Sequence, residues 1–391
     1  MNSFISWTPT KVVFGEGTAK EIGKEVKAFG GTRALIIYGG GSVVKSGLLD
    51  TVKSSLDEQN ITHYEVGGVQ PNPLAEFAQD IVEEYKDKKI DFVLGIGGGS
   101  AIDTAKAVAH SLASPHKKVW DIFTQKETVD KSIPIGVVLT IAAAGSETSD
   151  SAVLTSTATG LKRGLGTQFN RPAFAIMDPV LTYTTPKRHT IAGVVDIMMH
   201  TLDRYFGVNL DNDVTDEISE AILRVTIENG RLVMKDPNSY KARSELFWAG
   251  SLSHVGITGL GQGTDMPAHQ LGHSLSALYD VPHGESLSIV WAAWAKYVYK
   301  ANVARFARYA RKVWGITEAD DDKAALAGID ATRNYFVELG APISISEVKS
   351  DVSDSDIEAL VDNCTFKGTR TFGVFRRLEA NDMREIYKAV K

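Results

Sequence analysis

The segment DFVLGIGGGSAIDTAKAVAHSL, residues 91–112, decides the fold class. Its apolar beginning, residues 91–96, contains β-branched and aromatic side chains and predicts a buried strand. Small and aliphatic residues at positions 101–112 predict a helix that packs closely on its neighbours. Three glycines and a serine, residues 97–100, join the two elements. A strand that passes through a tight glycine turn into a helix is typical of a parallel α/β sheet.

The same pattern recurs on both sides of this segment. Apolar strands are predicted at residues 33–38, 135–139 and 173–177, and a helix at residues 72–86. Continuous apolar strands separated by helices indicate a parallel sheet covered on both faces. We therefore expect a Rossmann-like α/β domain with a parallel sheet at the N-terminal end, over residues 1–185.

The pattern changes near Pro179 and Pro186, where prolines and threonines interrupt regular structure. From there onward the periodicity is almost only helical, with helices predicted at residues 215–234, 240–254, 301–314 and 323–339. We therefore expect an all-α C-terminal domain over residues 186–391, which also carries the candidate metal ligands described below.

Charge and composition exclude several classes of partner. The chain has 391 residues and a formal net charge of −6, without a long block of like charge. This gives no electrostatic footprint for nucleic acid or an anionic membrane. One cysteine, Cys364, cannot form an internal disulfide, and the start of the sequence lacks a basic region followed by an apolar core. We therefore expect a cytoplasmic protein.

The glycine turn after residues 91–96 has the geometry of a phosphate site. Glycines allow a phosphate to approach the backbone, and the N–H groups at the start of the following helix bind its charge. Gly97 and Gly98 supply the close approach, and Ser100 adds a hydroxyl donor. A tight strand-to-helix turn without a ligand explains the same residues equally well, because glycine-rich turns are common.

A second glycine turn follows residues 33–38 and concerns the choice of cofactor. Gly39, Gly40 and Ser42 stand where an NAD site usually has a carboxylate for the adenosine ribose. Lys45 follows nearby, and residues 39–47 contain no acidic residue. Donors and a cation without an acid favour a 2′-phosphate, and therefore NADPH rather than NADH. The alternative is that Lys45 is an ordinary solvated surface lysine.

Histidine and aspartate residues in the second half form a metal-ligand pattern. Asp196 and His200 are four residues apart in a helical stretch, so both side chains lie on one helix face. His269 and His273 repeat this spacing, and His283 follows. One carboxylate with several imidazoles suits a divalent ion such as Fe²⁺ or Zn²⁺.

Each part of this pattern has a simpler explanation. Asp196 and His200 could form only a surface hydrogen bond, and His283 could be an exposed histidine in a Pro-His-Gly turn. One of His269 and His273 could be a ligand and the other not. Apolar residues around Asp196 indicate a half-buried helix, however, and a buried aspartate needs a partner or a metal. The occurrence of all these residues together favours a metal site.

Together these motifs resemble the iron-containing (group III) alcohol dehydrogenase family. The resemblance covers nearly the whole chain, and the motifs that carry it are PTKVVFG at residues 9–15, GGGSAIDTAK at 97–106, GSET at 145–148, Asp178-Pro179, and the histidine block 269–284. YGGGS at residues 38–42 and VPHGES at 281–286 are most similar to the NADPH-dependent butanol dehydrogenase and broad aldehyde reductase branch. One difference is Ala144, where many members have threonine.

The resemblance implies a role for each candidate residue. The metal ligands would be Asp196, His200, His269 and His283, and His273 would assist proton transfer. The cofactor-binding residues would be Gly39, Gly40, Ser42, Gly97, Gly98, Ser100, Thr140 and Lys162. The fold would be the dehydroquinate synthase-like one, and the family commonly forms homodimers. The implied reaction is hydride transfer between a nicotinamide cofactor and a small aldehyde or primary alcohol, such as butanal and butanol, with the metal acting as a Lewis acid.

Two other functions stay open. Dehydroquinate synthase-like lyases and glycerol dehydrogenase-like enzymes share this architecture, and a lyase that binds a phosphorylated sugar acid needs several cationic side chains. The only lysine or arginine in residues 265–297 is Lys296, and this scarcity of cationic side chains favours an uncharged substrate. A non-catalytic metal- or nucleotide-binding module would have no need of a histidine beside the ligands.

Overall fold

The computed structural model describes residues 2–143, 145–207 and 211–391, so Ala144 lies outside the described residues. The chain divides into two compact units. The N-terminal unit is Trp7–Thr185, and the C-terminal unit is Pro186–Lys391 together with residues 2–6. None of the described helices has both the length and the apolar composition of a transmembrane span.

The N-terminal unit is built on a parallel sheet, as the sequence predicts. Its strands are β1 Lys11–Phe14, β2 Arg33–Tyr38, β3 Thr62–Val66, β4 Phe92–Gly97, β5 Ile135–Leu139, β6 Ser151–Ser156, β7 Leu161–Gly166 and β8 Phe174–Met177. Its helices are α1 Ile22–Ala28, α2 Ser42–Lys45, α3 Leu48–Glu58, α4 Ala75–Tyr85, α5 Gly99–Ala113 and α6 Val119–Phe123. Within the described residues, six strands form the parallel sheet in the order β1-β8-β5-β4-β2-β3, and β6 and β7 form a separate antiparallel hairpin.

The strands that the apolar pattern predicts are the inner ones. Every residue of β4, β5 and β8 is buried. The pattern missed β1 and β3, which form the two edges of the sheet, and the β6–β7 hairpin. In β3 no residue is fully buried: His63, Tyr64 and Val66 are partly buried, and Thr62 and Glu65 are exposed. An edge strand therefore lacks the continuous apolar run that identifies a central strand.

The order of the strands creates a switch point between β2 and β4. β2 pairs with β3 on one side and with β4 on the other. The chain therefore runs from β2 outward to β3 and then crosses back over β2 to form β4 on its opposite side. In open α/β sheets, ligands bind outside the carboxyl ends of the strands at such a point. Gly39 directly follows β2, and Gly98 directly follows β4. Both predicted glycine turns therefore lie at this switch point.

The described part of the C-terminal unit is largely helical, as predicted. Its helices are α7 Lys187–Tyr205, α8 Asp213–Lys235, α9 Tyr240–His254, α10 Pro267–Tyr279, α11 His283–Val298, α12 Val303–Trp314, α13 Asp321–Leu339, α14 Asp354–Cys364 and α15 Ala380–Lys388. All residues of α7 from Thr190 to Asp203 are buried. A helix that is enclosed on all its faces lies inside its unit, so α7 is the element around which α8, α9, α10 and α11 pack.

Candidate metal centre and nucleotide-binding turns

Three predicted ligands converge inside the C-terminal unit. Asp196 and His200 lie one turn apart on α7, and His269 lies in the first turn of α10. All three are buried, and each offers a potential ligand atom within 4.8 Å of those of the other two. Two helices distant in sequence therefore bring one carboxylate and two imidazoles to the same point.

His283 lies beside this group as the first residue of α11. Its Nε2 atom is 3.6 Å from Oδ1 of Asp196. Its side chain is 26% exposed, whereas that of Asp196 is 5% exposed. The cluster is therefore closed on the side of α7 and α10 and open at His283, which is the direction from which a small molecule could reach it.

Glycines set the close approach of the helices that carry the cluster. A Cβ atom at Gly284 would lie 2.0 Å from the backbone oxygen of Ala192, which places the start of α11 directly against α7. A Cβ atom at Gly272 of α10 would lie 2.9 Å from the Ser286 hydroxyl oxygen in α11. His283 is adjacent to the first of these contacts and Asp196 is one turn from Ala192, so the glycines determine how near the ligands come.

Hydrogen bonds orient the imidazoles of the cluster. Nδ1 of His200 lies 3.0 Å from the backbone oxygen of Asp196, and Nδ1 of His269 lies 2.6 Å from Oδ2 of Asp203. An oxygen of this kind accepts the proton of Nδ1, which leaves a lone pair on Nε2. A neutral imidazole with its lone pair on Nε2 is a common metal ligand.

The chemistry of the donor atoms fits a divalent cation. Oδ1 of Asp196 is buried and accepts no hydrogen bond from the described residues, although Nδ1 of His200 lies 3.0 Å away. A buried carboxylate oxygen without a hydrogen bond is costly unless it is protonated or coordinates a cation. Nε2 of His269 and Nε2 of His283 lie 3.9 Å and 3.6 Å from the same oxygen. Nitrogen and oxygen donors of this kind suit Fe²⁺ and Zn²⁺.

His273 lies at the side of the cluster. Its ring centre is 5.4 Å from that of His283 and 6.4 Å from that of His269, and the residue is half-buried. It follows His269 by one turn of α10. It is therefore close enough to act on a molecule bound at the cluster and has access to water.

Two further residues of this cluster were not predicted from the sequence. Asp203 accepts the hydrogen bond from His269, and the ring of His254 in α9 lies 4.2 Å from that of His200. Asp203 had a signal in the sequence, because Asp196, His200 and Asp203 follow the spacing i, i+4, i+7 of one helix face. His254 had none, because its sequence neighbours form an unrelated helix.

The first glycine turn lies between β4 and α5. Gly97 has φ of 146°, which favours glycine, and a Cβ atom at Gly98 would lie 2.5 Å from the Ile141 side chain. Ser100 is the second residue of α5 and lies in its first turn. Thr140 follows β5, and its backbone N–H donates to the Gly97 oxygen at 3.0 Å. The structure therefore brings these four predicted residues together at the carboxyl ends of β4 and β5.

The second glycine turn lies between β2 and α2. Gly39 and Gly40 follow the strand, and Ser42 and Lys45 are exposed on the short helix that comes next. A Cβ atom at Gly40 would meet no atom within 4 Å, so this position is open. Residues 39–47 contain no carboxylate. The turn thus has room for a phosphate and no acidic side chain of its own to repel it.

Lys162 lies in β7, outside both glycine turns. Its Nζ atom donates to Oδ1 of Asn72 at 2.9 Å, and the residue is buried. Burial raises the pKa of Asp103 in the first turns of α5, and the charges of Lys106 and, to a smaller extent, Lys162 act against this shift. The β6–β7 hairpin therefore places this cation near the helix that begins at the first glycine turn.

A buried lysine fixes the loop that contains GSET. Lys106 of α5 donates to the backbone oxygens of Ser146 and Ser151, each at 2.7 Å, and to the Ser146 hydroxyl at 2.8 Å. Asp103 accepts from the same hydroxyl at 2.6 Å. Burial lowers the pKa of Lys106 to about 8, against the opposing effect of Asp103 and Glu147. Lys106 and Asp103 thus attach this loop to α5.

Comparison with protein-family models matches both units. Residues 9–179 match the family described as iron-containing alcohol dehydrogenase. Residues 190–391 match the C-terminal part of the Fe-containing alcohol dehydrogenase family. These two matches include every predicted site residue.

Individual relatives and solved structures agree with these matches. The chain is 38% identical to NADH-dependent butanol dehydrogenase A of Clostridium acetobutylicum, with 99% of each chain covered. It is 36% identical to the NADPH-dependent aldehyde reductase YqhD of Escherichia coli, with 100% of each covered. Its structure is similar to the crystal structure of NADH-dependent butanol dehydrogenase A from Thermotoga maritima, with a TM-score of 0.95 and 38% identity over 100% of this chain and 99% of that one.

Proposed function

Because the chain belongs to the iron-containing alcohol dehydrogenase family, we propose that it is a metal-dependent enzyme that transfers hydride between NAD(P)H and small aldehydes or primary alcohols. Butanal and butanol represent the substrate class, as the names of the relatives suggest. The observation that carries the proposal is the convergence of Asp196, His200 and His269, with His283 beside them.

We assign four residues to the cation. Asp196, His200, His269 and His283 supply one carboxylate and three imidazoles. A divalent ion held there, Fe²⁺ or Zn²⁺, would supply Lewis acidity toward the substrate oxygen, and a bound nicotinamide would supply the hydride. The four side chains carry a single negative charge, so they do not neutralise a divalent cation, and positive charge is left to stabilise a developing oxyanion.

His273 is the candidate for the proton step. Carbonyl reduction requires a proton at the substrate oxygen, and alcohol oxidation releases one. Its ring lies 5.4 Å from that of His283, and the half-buried side chain is open to water. A histidine can hold or release a proton near neutral pH, so His273 would relay it between solvent and substrate, directly or through water.

We infer that NADPH is preferred to NADH. The residues assigned to the cofactor are Gly39, Gly40, Ser42, Gly97, Gly98, Ser100, Thr140 and Lys162. Relatives of similar identity are named for either cofactor, so family membership does not decide this point. The inference is supported by the exposed Ser42 and Lys45 and by the lack of a carboxylate in residues 39–47. These groups would bind a 2′-phosphate that an aspartate would repel.

The function is tested with protein from which metal has been removed by a chelator. Addition of Fe²⁺ or Zn²⁺ is expected to restore butanal-dependent oxidation of NADPH, measured by nicotinamide absorbance, and elemental analysis of protein purified without added metal identifies the ion. A parallel assay uses the phosphorylated sugar acid of dehydroquinate synthase-like lyases. Turnover of that compound, or no turnover of any linear aldehyde with either cofactor by metal-loaded protein, would reject the proposal.

We further propose that the protein is a homodimer. Strand β1 is an edge of the sheet, and large apolar side chains on it and before it are exposed, with Trp7 56% and Phe14 40% exposed. An exposed strand edge beside apolar side chains is a surface on which a second copy can pair. Light scattering should give twice the chain mass of 42.4 kDa. A monomer at assay concentration would contradict this.

We also propose a cytoplasmic location. The support is the acidic net charge of −6 and the single cysteine, Cys364, which is buried. A reducing compartment suits a protein of this composition. Fractionation of the source cells with an antibody against the chain tests the location, and recovery outside the cytoplasmic fraction would contradict it.

A further inference from the structure

Asp203 connects the two helices that carry the buried ligands. It is fully buried in α7, seven residues after Asp196. Its Oδ2 accepts from the His269 backbone N–H at 3.0 Å and lies 2.6 Å from Nδ1 of the His269 ring. Its Oδ1 accepts from the Ala268 backbone N–H at 3.2 Å. One carboxylate on α7 therefore binds both the backbone and the ring of a residue on α10.

The two backbone bonds fix the start of α10. The helix begins at Pro267, and the residue before it, Met266, has left-handed geometry with no hydrogen bond from its own side chain. The first N–H groups of a helix need acceptors from outside the helix. Asp203 supplies them for two successive residues. Its negative charge is also favourable at a helix N-terminus.

The ring bond selects one tautomer of His269. Both oxygens of the carboxyl already accept from a backbone N–H, so Asp203 faces Nδ1 of His269 as an acceptor. The His269 proton is then held on Nδ1, and the lone pair of Nε2 points into the cluster, where Oδ1 of Asp196 lies 3.9 Å away.

We propose that Asp203 is the positioning residue of the metal centre, which fixes the start of α10 and holds His269 in the tautomer that binds the cation through Nε2. This inference rests on the proposed function, because a metal at the cluster is what gives the His269 tautomer its role. Its geometry does not depend on the reaction. A carboxylate behind a ligating imidazole also makes that imidazole a stronger donor, and loss of such a partner typically lowers metal affinity about 10- to 100-fold.

The tautomer is measured directly in the metal-free protein. Histidine labelled with ¹⁵N in the ring gives shifts that distinguish a protonated from an unprotonated nitrogen, and the signals of His269 are assigned by their loss in His269→Gln. We expect a proton on Nδ1 and none on Nε2 in the unsubstituted chain. A proton on Nε2 instead would overturn the proposal without any variant.

Metal affinity of Asp203→Asn gives the second readout. Competition with a chelator for Co²⁺ should show affinity lowered about 10- to 100-fold, and the visible ligand-field spectrum of the remaining Co²⁺ complex should change. Affinity and spectrum equal to those of the unsubstituted protein would overturn the proposal. Asp216→Asn is the matched control, because Asp216 is an equally buried aspartate of the same unit that pairs with Arg305. It is expected to lower thermal stability and leave Co²⁺ affinity and the His269 tautomer unchanged.

These outcomes separate the present inference from the proposed function. Protein that shows the expected tautomer and binds Co²⁺ through it, but reduces no aldehyde, would reject the reaction and leave the role of Asp203 intact. Protein that reduces butanal but has the His269 proton on Nε2 would reject the role of Asp203 and leave the proposed reaction intact.

Discussion

Gly284 of α11 lies directly against Ala192 of α7, so that a methyl group at position 284 would be 2.0 Å from the Ala192 backbone oxygen. The nearest atoms are all backbone, so no side-chain rotation can relieve the clash. Gly284→Ala must therefore separate α11 from α7 and move His283 away from Asp196. We expect the free energy of unfolding to fall by about 1–3 kcal/mol and the metal affinity of the purified protein to fall with it.

Gly166→Ala is the control for this substitution. A Cβ atom at Gly166 would meet nothing within 4 Å, and its backbone conformation is not left-handed. Chemical denaturation and chelator competition on both variants give the comparison. If Gly284→Ala binds metal as tightly as the control does, this contact does not determine the position of His283.

Replacement of His283 should remove the metal from an otherwise intact protein. The His283 side chain is partly exposed, so His283→Ala costs little packing, whereas it removes one of the four proposed ligands. We expect metal content and aldehyde reduction to be lost together, with an unchanged circular dichroism spectrum. Elemental analysis and the butanal assay measure the two quantities.

The exposed His116, which is outside the cluster, provides the matched variant. His116→Ala should keep both metal and activity. Full turnover by purified His283→Ala would show that His283 is not a ligand.

A carboxylate in the second glycine turn should change the cofactor preference. Gly40 has open space at its Cβ position and no left-handed backbone, so Gly40→Asp can be accommodated without moving the chain. Its negative charge would repel a 2′-phosphate and could accept from a 2′-hydroxyl. The ratio of kcat/KM for NADPH to that for NADH should fall at least about tenfold, equivalent to about 1.4 kcal/mol.

Gly40→Asn has nearly the same size without the charge, so it should change this ratio much less. An equal shift in both variants would mean that shape rather than charge controls the choice. An unchanged ratio in Gly40→Asp would refute the assignment of this turn to the adenosine 2′-position.

His110 should make the N-terminal unit less stable in mild acid. Its ring is enclosed by Ser132 and Asn170, and burial lowers its pKa from 6.5 to about 4. Between these values the unfolded chain binds a proton that the folded chain does not, so stability decreases as the pH falls from 6.5 toward 4. The full loss is about 3 kcal/mol at about 1.4 kcal/mol per pKa unit.

The measurement is the dependence of thermal unfolding on pH across this window. His110→Gln lowers stability near neutral pH because hydrogen bonds are lost, and its curve should be flatter than that of the unsubstituted protein. His116→Ala should leave the slope unchanged. Equal slopes in all three proteins would contradict the proposed burial effect.

The sequence by itself determined the class of fold and the family. Residues 91–112 predicted a strand, a glycine turn and a helix, and β4 and α5 follow in that order. Central strands of a parallel sheet are covered by protein on both faces, so they consist of consecutive apolar residues that can be recognised in the sequence. The change to helical periodicity after Pro186 is local in the same way, and it predicted the helical second half.

Tertiary structure alone decided which groups meet. Spacing could pair Asp196 with His200 because one helix turn separates them, whereas only the family resemblance joined α7 to α10 through His269, and nothing in the sequence placed His254 beside His200. The hydrogen bond between Asp203 and His269 joins residues 66 positions apart. Such contacts depend on the angle and distance at which helices pack, and these follow from side-chain volumes across the whole interface rather than from any short motif.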